Sequence, residues 1–152
     1  MRKKPFSIWL LTTCLVVLGL GGFYGGGAML VDPTGAALGM DVMLSRLPVD
    51  TYVLPGLFLV SCMGLVPLVL AYSVVQRPAW SLLSSLFAWS NHHWSWAATI
   101  MLSVVIGIWL ALQAAYIGFT WPMQWFIAAI GAINLVIVCL PSVADNFRSS
   151  NT

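Results

Sequence analysis

The run FSIWLLTTCLVVLGLGGFYGGGAMLV, Phe6–Val31, decides the fold. It contains no Asp, Glu, Lys, Arg or His. An α-helix rises 1.5 Å per residue, so about 20 apolar residues cross a hydrocarbon core about 30 Å thick. This run is long enough, and three more follow at 52–75, 96–117 and 121–140, equally free of acids and bases. Backbone N–H and C=O groups in lipid must be satisfied within the segment, which selects helices for such runs. The pattern predicts an all-α fold: a four-helix transmembrane bundle making one integral membrane domain over residues 1–152.

Composition agrees. The chain is 61% hydrophobic and 7% charged, where a soluble domain carries about 25% charged residues. Too little remains outside the runs to build a soluble domain. No basic face exists, which excludes a nucleic-acid role. Arg2, Lys3 and Lys4 precede the first run, Arg77 follows the second, and Arg148 lies in the tail. Only Arg46 falls in the first loop, beside Asp32, Asp41 and Asp50. Cytoplasmic flanks carry the excess of Lys and Arg. The expected location is the cell (inner or plasma) membrane, multi-pass, with both termini cytoplasmic and the first loop outside. The basic start resembles a signal peptide, and Leu11-Thr12-Thr13-Cys14 faintly resembles a lipoprotein site. The apolar run exceeds the 7–15 residues of a signal h-region, so an uncleaved span is expected.

The first run ends in a glycine tract. Gly21 and Gly25 form one G-x-x-x-G, and Gly22 and Gly26 another. This spacing lets helix backbones approach closely, within the bundle or through self-association. Asp32-Pro33-Thr34-Gly35 reads as a type I turn. Asp41 is placed to cap a short outer-loop helix reaching Leu47, and Asp50 to cap the second span. Pro67 should kink that span. Between spans two and three, 78–89 places Trp80, Leu83 and Phe87 at helical spacing, the pattern of a short interfacial helix. Trp80, Trp89, Trp94 and Trp96 mark one membrane boundary; Trp121, Trp125 and Tyr52 mark the other.

Chemistry-bearing residues are few. Cys14, Cys62 and Cys139 lie on different runs, with no C-x-x-C pair and no Cys/His spacing for a metal. His92 and His93 are adjacent, so on one helix they point about 100° apart and cannot clasp one haem; a solvated pair is expected. No catalytic, cofactor or metal site is expected. Within the spans, Gln113 and Gln124 fall at one depth on either side of the tight 118–120 connection. A structural bond between these amides is one reading. The other is a polar patch under the first loop, with Asp50, Tyr52 and Tyr116 close by, contacting a small ligand. Asn134, nearer mid-membrane, is expected to bond a neighbouring helix.

Asp32-Pro33-Thr34-Gly35, Leu38-Gly39 and Leu54-Pro55-Gly56-Leu57 are followed by Trp109, Gln113, Ile117-Gly118-Phe119, Pro122 and Gln124. This order resembles a small bacterial family of uncharacterised four-span membrane proteins. Its first loop reads D-P-(S/T)-G…P-G-L and its third span W-x-x-x-Q-x-x-x-I-G-(Y/F). The resemblance covers most of the chain from Asp32 onward. It implies architecture and location, and carries over no catalytic residue. Those proteins tend to place Gln directly before Pro, where this chain has Trp121-Pro122-Met123-Gln124.

Proton pumps and ion pathways place ionisable residues inside their spans, and this chain has none there. A nucleophile needs a neighbouring base, and no His lies near the first-loop carboxylates. The leading expectation is a non-enzymatic structural or accessory membrane component. The alternative is a small binding or transport module for a lipid, quinone or other apolar molecule.

Overall fold

The computed structural model describes residues 4–148. Every regular element among them is helical. Four helices are long and apolar enough to cross a membrane: α1 (Phe6–Val31), α3 (Val53–Gln76), α5 (Trp94–Ile117) and α6 (Pro122–Cys139). The chain is a multi-pass membrane protein with a helical-bundle fold. Shorter helices are α2 (Asp41–Leu44), α4 (Ser81–Leu86) and α7 (Pro141–Phe147). Around the bundle the order is α1, α3, α5, α6, each packing on its neighbours and α6 returning to α1. The first loop and the 118–121 turn share one end. Lys4, the α3–α5 connection and α7 share the other.

The α1–α3 seam is made by glycine. A Cβ on Gly22 would stand 2.3 Å from the Met63 carbonyl, and one on Gly26 would stand 2.7 Å from the Gly56 oxygen. Only hydrogen fits, so the two backbones touch. At this seam α3 is wound as a π-helix over Leu59–Leu65, with buried Pro67 just beyond. The Val66 amide reaches back to the Ser61 carbonyl, a five-residue step. Pro67 has no N–H to donate, and its ring would crowd a carbonyl of the preceding turn. The wider π turn is where the helix takes up that mismatch, as π-bulges commonly do.

The first loop is tightly bonded. Gly35 donates to the Asp32 carbonyl at 3.0 Å, closing the expected turn. The Asp32 carboxylate accepts from the Thr34 hydroxyl at 2.6 Å and from the Ala37 amide at 2.7 Å. These bonds, Thr34 first, hold its pKa below the usual carboxylate value. Two capping expectations are corrected. Asp41 lies inside α2 behind Met40, and α2 stops at Leu44, with only i+3 turns reaching Leu47. Pro48 disfavours helical geometry at the residue before it. Asp50 is exposed and caps nothing; the start of α3 is set at Tyr52, whose amide donates to the Pro33 carbonyl at 2.8 Å.

The other end is sealed by side chains. Val143 and Phe147 of α7 are buried in the core. The His93 amide donates to the Phe147 carbonyl at 2.7 Å, and the Trp96 indole donates to the Val138 carbonyl at 2.9 Å. Trp94 is buried and donates to the Pro78 carbonyl at 3.0 Å, so it is an internal peg rather than a boundary anchor. Trp80 stacks on it, and α4 leaves Leu82 and Leu86 exposed, as a helix lying against lipid would.

Candidate functional site

A cavity of about 240 Å³ lies beneath the first loop, between α1, α3, α5 and α6. Leu38 and Met40 form its roof and Leu59 and Met63 of the π segment one wall. Gly21 and Gly25 form a second wall, having no side chains to fill the space. Trp109, Gln113 and Gln124 bring the polar atoms. Val17, Tyr24, Met123 and Phe126 also line it and are exposed on the outer surface of α1 and α6. The cavity therefore opens sideways, between these two helices, toward lipid. An apolar cavity of about 150 Å³ accepts benzene, so this one has room for a substituted ring or the end of an acyl chain.

The two glutamines share this wall, but unequally. Gln124 is 4% exposed. Its Oε1 accepts from the Trp121 amide at 3.0 Å, and its Nε2 donates to the Gly118 carbonyl at 3.0 Å. Both amide ends are thus engaged by backbone at the turn between α5 and α6. The contact from Gln124 Nε2 to Gln113 Oε1 is 3.5 Å, the far limit of a hydrogen bond. Because Gln124 is oriented by its backbone partners, it presents a donor to Gln113. Gln113 must then offer its oxygen, leaving its own NH₂ without an acceptor among the described residues. The reciprocal pairing of amides is replaced by one spent amide and one free one.

The other expected contacts divide. Tyr116 is half-exposed and lines a separate apolar crevice of about 540 Å³ between α3 and α5. That crevice also touches Trp109 and Gln113, which therefore stand between the two spaces. Asp50 lines neither. Tyr52 is 1% exposed and donates to the Met40 carbonyl at 2.8 Å, so it holds the roof and neither marks a boundary nor touches the cavity. Burial, with Asp41 behind it, pushes the phenol pKa up.

Trp109 stacks on Phe58 with ring centroids 4.5 Å apart, and its indole N–H has no partner among the described residues. Nothing in the sequence spacing marked the wall that Trp109 shares. Asn134 differs from expectation: it is 1% exposed and neither end of its amide is bonded among the described residues. A buried amide left unbonded costs about 1–3 kcal/mol. The histidines are packed, not solvated. His92 stacks on Trp96 at 4.2 Å; His93 caps α5, its Nδ1 2.9 Å from the Ser95 hydroxyl. Burial pulls the His93 pKa down. Among the described residues no three His, Cys, Asp or Glu approach metal-binding geometry.

No family model, curated protein or solved structure matches this chain. The resemblance to the four-span bacterial family rests on the quoted residues alone.

Proposed function

We propose that this protein binds a small amphipathic molecule of the bilayer, such as a lipid, a quinone or another largely apolar compound, without acting on it chemically. The observation that carries the reading is the free Gln113 carboxamide NH₂ on the wall of an apolar, laterally open cavity. A ligand would bury its apolar body against Leu59, Met63 and Ile127 and accept one hydrogen bond from Gln113. Cofactor-like pockets are built this way, mostly apolar with few polar fixing groups.

The test is native mass spectrometry of protein taken from its own membranes in mild detergent. The expected result is a retained small molecule that is lost on Gln113→Leu while the variant melts like the parent. A parent carrying nothing, and whose melting no quinone, fatty acid or phospholipid shifts, ends the proposal. A structural or accessory role is the second reading. Its support is that Gly21 and Gly27 meet no neighbour within 4 Å, leaving room for another helix. Gly22 and Gly26 are taken by α3 within one chain. The same spectra would show a stoichiometric protein partner or a second copy.

The proposed setting is the cell membrane with both termini cytoplasmic. Lys4 contacts the Val75 carbonyl, Arg77 donates to the Asn146 side chain and the Arg148 backbone bridges to that of His92, which gathers Lys4, Arg77 and Arg148 at the end opposite Arg46. Arg2 and Lys3, counted in the same argument, lie outside the described residues, as does Ser150. In a background lacking Cys14, Cys62 and Cys139, a cysteine at Thr34 should react with an impermeant reagent in intact cells, and one at Ser150 should not. The reverse pattern would invert the orientation.

A further inference from the structure

The opposite end carries a third, polar cavity that the ligand reading does not use. It measures about 760 Å³ and is lined by Lys4, Val75, Arg77, Ser142, Asp145 and Asn146. Arg77 ends α3 in left-handed geometry, with φ 52°. This swings its side chain toward α7. There the guanidinium lies over the Phe147 ring, 4.8 Å from its centroid, and donates to the Asn146 side-chain oxygen. Both partners are neutral. Among the described residues the one ion pair is Arg148 with Asp145, at 3.4 Å. So Asp145, the carboxylate on this wall, already has a cation of its own.

Two donors remain. The Arg77 Nε–H and the Asn146 amide nitrogen are buried and bonded to nothing among the described residues. Lys4 Nζ spends one proton on the Val75 carbonyl and has two left. A part-buried guanidinium with no counter-charge is unfavourable. Two cations and an amide, Lys4, Arg77 and Asn146, line one cavity at the mouth of the bundle. A phosphate oxygen array matches it: a guanidinium and an ammonium for charge, an amide N–H for a third oxygen.

We infer that this cavity is an anion site for a phosphate group held by Arg77, Lys4 and Asn146, at the bilayer surface where the apolar flank of α3 continues below it. Two sources share that chemistry: the headgroup of an anionic phospholipid and free inorganic phosphate. The site is independent of the Gln113 cavity, which lies at the other end of the bundle.

The full chain is reconstituted in nanodiscs of phosphatidylcholine, with and without phosphatidylglycerol, and separately in phosphatidylcholine with added inorganic phosphate. Melting and lipid retention are read for the parent, Arg77→Gln and Lys4→Gln. The expected result is that phosphatidylglycerol raises the melting temperature of the parent and is retained by it. Each cation near a membrane surface contributes roughly fivefold in anion affinity, so Lys4→Gln should weaken retention about fivefold and Arg77→Gln by at least as much. Stabilisation by phosphatidylglycerol alone assigns the lipid headgroup. Equal stabilisation by inorganic phosphate assigns a soluble anion. If Arg77→Gln does not fold, exposed Lys4 decides. Retention unchanged in Lys4→Gln and in any folded Arg77→Gln, or no effect of either anion on the parent, overturns the site.

Discussion

Two interleaved glycine pairs on α1, one residue apart, meet opposite fates. Gly22 and Gly26 press against the α3 backbone so closely that a methyl group would overlap it. Gly21 and Gly25 carry the same spacing and face a cavity, with nothing within 4 Å of Gly21 and only Leu59, at 3.9 Å, near Gly25. The G-x-x-x-G spacing says that a helix surface is flat. It does not say whether a neighbour arrives to use the flatness or leaves it as empty volume. The difference lies in α3, whose π turn brings Met63 and Gly64 up to Gly22 and leaves Leu59 beside Gly25.

The sharpest way to break this comparison is to place the same side chain on each pair. Gly22→Leu drives atoms into the Met63 carbonyl. It should cost more than about 3 kcal/mol, beyond ordinary overpacking, read as a large fall in melting temperature in detergent or loss of a monodisperse protein. Gly21→Leu should be neutral or slightly stabilising, since removing a helical glycine is worth roughly 0.5–1 kcal/mol. Its leucine would occupy the cavity instead, and any retained small molecule should be lost. Equal melting of the two variants would mean that the two faces of α1 do not differ.

The next effect concerns the far wall. Gln124→Leu removes two backbone-directed bonds from the turn between α5 and α6 and should cost about 1–2 kcal/mol. Gln113→Leu should leave stability unchanged. If Gln113→Leu is the costlier of the two, the assignment of one spent and one free amide is wrong.

A smaller effect contrasts the two ends of the bundle. His93 is held neutral by burial, so its folded pKa lies below the ordinary 6.5. Between those two values the unfolded chain binds more protons than the folded one, and stability rises with pH. Melting temperature should therefore fall slightly as pH drops below about 6.5. His93→Asn keeps a capping acceptor and should flatten this slope. A parent whose melting is flat between pH 7.5 and 5.5 would contradict it. The smallest effect is the Gln113–Gln124 coupling. Across 3.5 Å a double-mutant cycle should give less than about 0.6 kcal/mol; a larger coupling would restore the reciprocal pair.

Much of the fold was legible because bilayer thickness leaves few choices. The first span runs from Phe6 to Val31 as read, and no end of the other three differs by more than two residues. What escaped the reading depends on partners distant in sequence. The seven residues of α7 are too short to show periodicity, although Pro141 at its start and the four-residue step from Val143 to Phe147 were visible signals. Pro67 announced an irregularity but not that it would appear as π winding upstream. Tyr52 resembled a boundary aromatic because nothing in the chain says that Pro33 and Met40 fold back over it. At the site, Gln113 and Gln124 were found by depth alone. The division of labour between them was hidden, because it depends on the Gly118 carbonyl and the Trp121 amide at a turn whose geometry no spacing specifies.

The Tyr52 peg has a consequence for supply. Its hydroxyl holds the Met40 carbonyl at 2.8 Å, its ring lies where a Cβ on Gly35 would stand 2.5 Å away, and its amide holds Pro33. The roof over the cavity is therefore fastened to the first turn of α3, while the gap between α1 and α6 is lined by side chains already facing lipid. If the protein binds a bilayer molecule as proposed, that molecule arrives by two-dimensional search within the bilayer. Its occupancy follows its mole fraction among lipids, not its concentration in water. Diluting such vesicles with buffer would leave the cavity filled; fusing them with empty lipid would drain it.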